Sequence, residues 1–240
     1  GGYLPPELAK AYMDIGISVG QGYGLSEVSP KVTYADHNRP EKIASVGRIV
    51  LRCEVKIIDG EICVKSPSVM QGYYKDPEET AKVIDSEGYF HTGDLGYVDD
   101  ENYLFFTGRK KNLIVLSNGE NVAPEEIENA FANESLVEDV LVYDDDDTLA
   151  CAIYPNFNIA GKKGIEDVDE AVFAVVAKVN ESLPSFKRIQ NTLVKKTPFA
   201  KTTSKKIIRQ KFFDELKLSE TENSIAFQIM KEIKARLKFL

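Results

Sequence analysis

Cysteine is scarce in this chain: Cys53, Cys63 and Cys151 are widely spaced, with no CxxC pair. An odd, scattered set argues against a disulfide framework and against a zinc site, and reads as free thiols in a reducing cytoplasm. Histidine is rarer still, with two residues, and neither is expected to be catalytic; His91 reads as a structural strand residue. No apolar run approaches the roughly 18 residues of a membrane span, and the N-terminus lacks a basic-then-apolar signal pattern. Positive charge is in deficit, 30 Lys and Arg against 38 Asp and Glu, for a net charge of -8. That balance speaks against a nucleic-acid partner. What is present, 43% hydrophobic residues over 240, is enough for a buried core in one or two soluble domains.

The most informative stretch is GRKKNLIVLSNGENVAPEEIE, residues 108–128. A cationic turn leads into a short apolar strand, Ser117-Asn118-Gly119 reverses it, and Pro124 opens a helix whose first turn holds Glu125 and Glu126. Alone, this could be an ordinary hairpin with a solvated basic corner. Upstream, Leu8 to Ile15 has helical spacing and residues 17–22 read as a short strand. They enter GYGLSE (22–27), where Tyr23 offers a flat face for a purine, Ser26 a hydroxyl for phosphate and Glu27 a hard oxygen for Mg²⁺. The bland alternative is a glycine-rich strand end whose tyrosine packs in a core.

Residues 44–106 alternate as short strands, SVGRIV, CEVKIID, GEICVKS and YLFFTG, which predicts a small barrel-like β subdomain. KDPEETAKVID between them reads as a helix started by Asp-Pro. HTGD (91–94) reads as a tight turn, in which Asp94 could simply satisfy backbone amides. Further on, a helix from Pro124 to Ala132 is expected, then strands at 137–143 and 149–154 joined across a solvated Asp144–Asp147 tip, then an amphipathic helix from Val168 to Leu183. Residues 185–211 hold nine cations, Lys187, Arg188, Lys195, Lys196, Lys201, Lys205, Lys206, Arg209 and Lys211, and no carboxylate. Such a local excess suits phosphate-bearing ligands. Residues 226–240 have helical spacing with lysines between, which suggests core packing or a homodimer contact, with a membrane-surface role as the less favoured reading.

Four motifs in order, GYGLSE, HTGD, the Gly108–Arg109 linker with its hairpin, and PFAKTTSKKIIR (198–209), resemble the adenylate-forming enzymes, the superfamily of acyl-CoA synthetases, luciferases and peptide-synthetase adenylation domains. LSNGENVAPEEIE and LPSFKRI are most similar to its long-chain fatty acid–CoA ligases. The resemblance implies an α+β fold: residues 1–108 as the end of the large AMP-binding domain with its β subdomain, and 109–240 as a mobile lid domain with a helical extension. It implies ATP or AMP, Mg²⁺ and CoA as ligands, and a fatty or other carboxylic acid as substrate, with carrier-protein pantetheine as an alternative thiol. By resemblance, Tyr23, Gly24 and Ser26 belong to the adenine strand, Glu27 holds the metal, Asp94 binds the ribose hydroxyls, and Arg109 binds ribose or phosphate. Gly119 lies on the thiol path, Lys111 is the hinge and Lys206 the catalytic lysine. Ser26 stands where the family has threonine. Lys205 stands where it usually has glycine, which predicts a stiffer loop. No Ser/Thr/Gly-rich stretch ending in Pro-Lys, the family's triphosphate loop, occurs in these residues, so the chain is expected to be a C-terminal portion of a longer cytoplasmic enzyme.

Overall fold

A computed structural model describes residues 4, 6–203 and 205–218. It divides into two compact units, one ending at Val194 and the other starting at Lys195. In the first unit, α1 (Pro6–Asp14) is followed by irregular chain rather than the strand expected at 17–22. Just beyond it the Tyr23 carbonyl accepts from the amides of Val32 and Thr33, but residues 17–22 join no strand ladder, and without a ladder partner a segment is not a strand. Short β1 (Thr33–Tyr34) and β2 (Arg48–Ile49) pair antiparallel.

The β subdomain is an open sheet and not a barrel. β3 (Glu54–Ile58), β4 (Glu61–Lys65), β5 (Phe90–Val98) and β6 (Leu104–Arg109) pair antiparallel in sequence order. Ile62, Val64, Phe90 and Leu104 pack with Val28, Val32 and Val46 into its core. Fully burying each such side chain contributes roughly 1.5–3 kcal/mol. Between β4 and β5, α2 (Pro77–Val83) starts as expected: the Asp76 side chain accepts from the Glu79 amide at 3.0 Å, and Pro77 takes the position where a missing N–H costs nothing.

After a 3-10 turn, Lys110–Asn112, the hairpin β7 (Ile114–Val115) and β8 (Asn121–Val122) leads into α3 (Pro124–Ala130), two residues shorter than expected. β9 (Val137–Asp145) and β10 (Thr148–Pro155) form a further hairpin. Its turn is Asp146-Asp147, both with positive φ (48° and 66°), as a two-residue hairpin loop of the mirror-image type requires. The four acids are therefore more than a solvated tip: two are strand residues, and Asp147 accepts the Ser117 amide at 2.6 Å. α4 (Phe157–Lys162) and α5 (Val168–Ser182) follow, and α5 buries Val172, Val176 and Val179 at helical spacing. It connects β10 to β11 (Asn191–Val194), a parallel partner whose pairing needs such a crossover. β10 is thus central, and Leu149 to Ile153 are buried without a break.

In the second unit, a Lys201–Ile207 bridge closes a small loop and residues 209–218 are helical. The expectations for residues 226–240 lie outside the described residues.

Candidate functional site

Gly24 is at its position because nothing larger fits: a Cβ there would sit 1.3 Å from the Pro30 carbonyl oxygen. That close approach sets Tyr23, whose amide donates to Thr33 Oγ1 at 2.9 Å. The Tyr23 hydroxyl donates to Asp94 Oδ2 at 2.8 Å, across 71 residues of sequence. Burial, and then the charge of Asp94, raise the Tyr23 pKa far above the ordinary phenol range, so Tyr23 is a fixed hydrogen-bond donor.

Asp94 is not in a turn. It lies within β5, is 4% exposed and pairs in register with Arg109 of β6, whose Nε is 3.2 Å from Oδ1. Gly93 at φ 69° gives the strand its kink before Asp94. Tyr23, Asp94 and Arg109, far apart in sequence, therefore converge. Exposed Ser26 begins a 3-10 turn that ends on buried Val28, and Glu27 between them accepts from the Tyr73 hydroxyl at 3.3 Å. The Gly119 hairpin tip is exposed, with Gly119 at φ 85°. Exposed Lys111 sits in the 3-10 turn between β6 and β7.

Sequence reading missed Glu61. It is 4% exposed, and its Oε1 accepts the Gly93 amide at 2.8 Å while Lys110 Nζ lies 2.8 Å from Oε2. Burial by itself would raise its pKa, but Lys110, the Gly93 amide and His91 outweigh that and hold it below the usual carboxylate range. Glu61 thus ties the strand carrying Asp94 to the residue beside Lys111. The E-I-C-V alternation placing Glu61 and Cys63 on one face was the available signal.

Lys206 belongs to the second unit. Its carbonyl accepts the Thr202 amide at 2.8 Å, and its own amide donates to Thr202 Oγ1 at 3.2 Å. Lys205 has φ 62°, the left-handed conformation that glycine adopts freely and lysine does not. The backbone shape is one that suits glycine despite the substitution. Lys195 pairs with Glu215 at 3.1 Å, and Lys187 with Glu126 at 2.7 Å.

Two family profiles match the chain in order, "AMP-binding enzyme" over residues 1–74 and "AMP-binding enzyme C-terminal domain" over 111–219. The chain belongs to the adenylate-forming, AMP-binding superfamily. Within it, the chain is similar to a 4-coumarate–CoA ligase-like protein of Oryza sativa subsp. japonica, 37% identical over 231 residues that make up 88% of this chain and 40% of that protein. It is also similar to a Mycobacterium tuberculosis protein bearing a fatty-acid–CoA ligase name, 41% identical over 129 residues, 53% of this chain and 22% of that one. Among solved structures it resembles the o-succinylbenzoate CoA synthetase of Bacillus subtilis in complex with ATP and magnesium. That match has a TM-score of 0.73 and 26% identity, and covers 88% of this chain and 44% of that one. The chain thus spans less than half the length of each of these relatives. Its α+β fold is that of adenylate-forming enzymes.

Proposed function

We propose that the protein containing this chain activates a carboxylic acid with ATP as an acyl adenylate and passes the acyl group to a thiol, CoA or carrier-bound pantetheine. The observation that carries this reading is the convergence of Tyr23, Asp94 and Arg109. A nucleotide fits them in kind: Gly24 brings backbone close, and the ribose hydroxyls would join or replace Tyr23 on the Asp94 carboxylate. Glu27 is a single hard donor, which suits Mg²⁺ because that ion takes its remaining ligands from phosphates and water. Bound Mg²⁺ would neutralise phosphate charge; the chain's part is to hold and orient. Arg109 holds the Asp94 carboxylate in place. Lys206, on the sequence resemblance, supplies a cation where charge develops between carboxylate and phosphate. A cytoplasmic location is supported by the three free thiols.

A long-chain fatty acid is the proposed substrate, supported by the LSNGENVAPEEIE and LPSFKRI stretches; the 4-coumarate names among the relatives make an aromatic acid the competitor. A non-catalytic nucleotide-binding module is the alternative from another class, favoured by the lack of a triphosphate loop in these residues. Acid-dependent pyrophosphate release by the full-length protein, screened over acyl chain lengths and aromatic acids, separates the three. Release with long acyl chains is expected; release with none would leave the binding module. Residues 1–240 alone should release none, since positioning dominates this chemistry.

Asp94→Ala in the full-length protein should weaken ATP binding by about tenfold or more, because Tyr23 and Arg109 lose their shared buried acceptor. Calorimetric titration with ATP checks it, and unchanged affinity would remove Asp94 from the site.

A further inference from the structure

Away from the nucleotide residues, β4 and β5 build a second constellation that sequence spacing does not reveal. Cys63 of β4 faces His91 of β5 directly in the ladder, and Glu61 lies two residues before Cys63 on the same face. His91 Nδ1 is 3.4 Å from Cys63 Sγ and 3.3 Å from Glu61 Oε2. Tetrahedral zinc bonds of the usual lengths place neighbouring N, O and S ligand atoms about 3.3–3.6 Å apart. Behind the imidazole, Asp85 Oδ2 lies 3.5 Å from Nε2, the arrangement of carboxylate, histidine and metal that fixes a ligating ring. Cys63 is fully buried and Glu61 nearly so, while the His91 side chain is 27% exposed, so the cluster is dry with one open side. A cation already sits there: Lys110 Nζ on Glu61 Oε2.

We propose that Glu61, Cys63 and His91 form a site for a divalent metal ion of the zinc class, which displaces the Lys110 ammonium from Glu61. The ligand set of thiolate, imidazole and carboxylate selects zinc over the hard Mg²⁺ ion. On binding, the Cys63 S–H proton goes to solvent, His91 coordinates through the Nδ1 lone pair with its proton on Nε2 toward Asp85, and no electron is transferred. Glu61 Oε1 keeps the Gly93 amide. Entry of the metal therefore frees Lys110, the neighbour of Lys111, without dismantling the strand that carries Asp94.

The test uses the purified, metal-free chain titrated with cobalt(II) as a spectroscopic stand-in for zinc. One equivalent should produce the near-ultraviolet charge-transfer absorption of a cobalt–thiolate bond, and zinc should abolish it. Cys63→Ser should remove the band and Cys53→Ser should keep it. His91→Gln, at a partly exposed position, should lower affinity by well over the roughly 10- to 100-fold that loss of an outer-sphere partner costs, with the melting temperature confirming the fold. Lys110→Met removes the competing cation and should raise affinity. No band in the wild-type chain, a band that survives Cys63→Ser, or equal affinity in Lys110→Met would overturn the site.

Discussion

Replacing Lys206 with alanine in the full-length protein will lower acyl-adenylate formation by about 10²- to 10³-fold, the usual cost of losing one fixed group that faces developing charge. Thioester formation from supplied acyl adenylate will be nearly unchanged, because that step develops no such charge beside the lysine. Two single-turnover assays, one for pyrophosphate release and one for thioester, measure the split. Lys205→Ala is the control for register. By the resemblance Lys205 takes the place of the family's glycine and Lys206 the catalytic role; the left-handed φ of Lys205 is a conformation that glycine adopts freely. A larger loss from Lys205→Ala would move the role by one residue.

Lys111→Pro will uncouple the two half-reactions, keeping one near normal and losing most of the other. A rotating lid concentrates its backbone change in very few residues where rigid elements meet. Lys111 is such a place, in a three-residue 3-10 turn between β6, which carries Arg109, and the β7–β8 hairpin, which carries Gly119. Proline fixes φ near -65° and removes an amide proton. It also disfavours helical backbone at the preceding residue, here Lys110, which the present turn holds helical. Proline thus penalises this turn and favours another, while touching no ligand. Equal, modest losses in both half-reactions would place the hinge elsewhere. A lowered melting temperature together with a silent Lys111→Ala would make Lys111 an ordinary turn lysine.

The elements legible in the sequence are those whose causes lie within a few residues. Asp76-Pro77 starts α2, Pro124 starts α3, and Val172, Val176 and Val179 declare the buried face of α5. The expected strand at 17–22 failed because a strand needs a neighbour, and local pattern does not supply one. The barrel failed for a related reason: alternation marks each strand but not whether the last returns to the first. HTGD reads as a turn by composition, yet register with β6 makes it strand, with Gly93 absorbing the kink.

The sequence alone determined the order of the motifs, the family they belong to, and the identities of Tyr23, Asp94, Arg109 and Lys206 as candidates, because side-chain chemistry and spacing are written in it. Only the tertiary structure decided that the Tyr23 hydroxyl is bound to Asp94, that Glu61 joins Gly93 to Lys110, and that Cys63 meets His91. Each of those contacts joins segments far apart in sequence; Cys63 meets His91 through the pairing of β4 with β5, whose register is set by the burial of whole sheet faces rather than by any local residue.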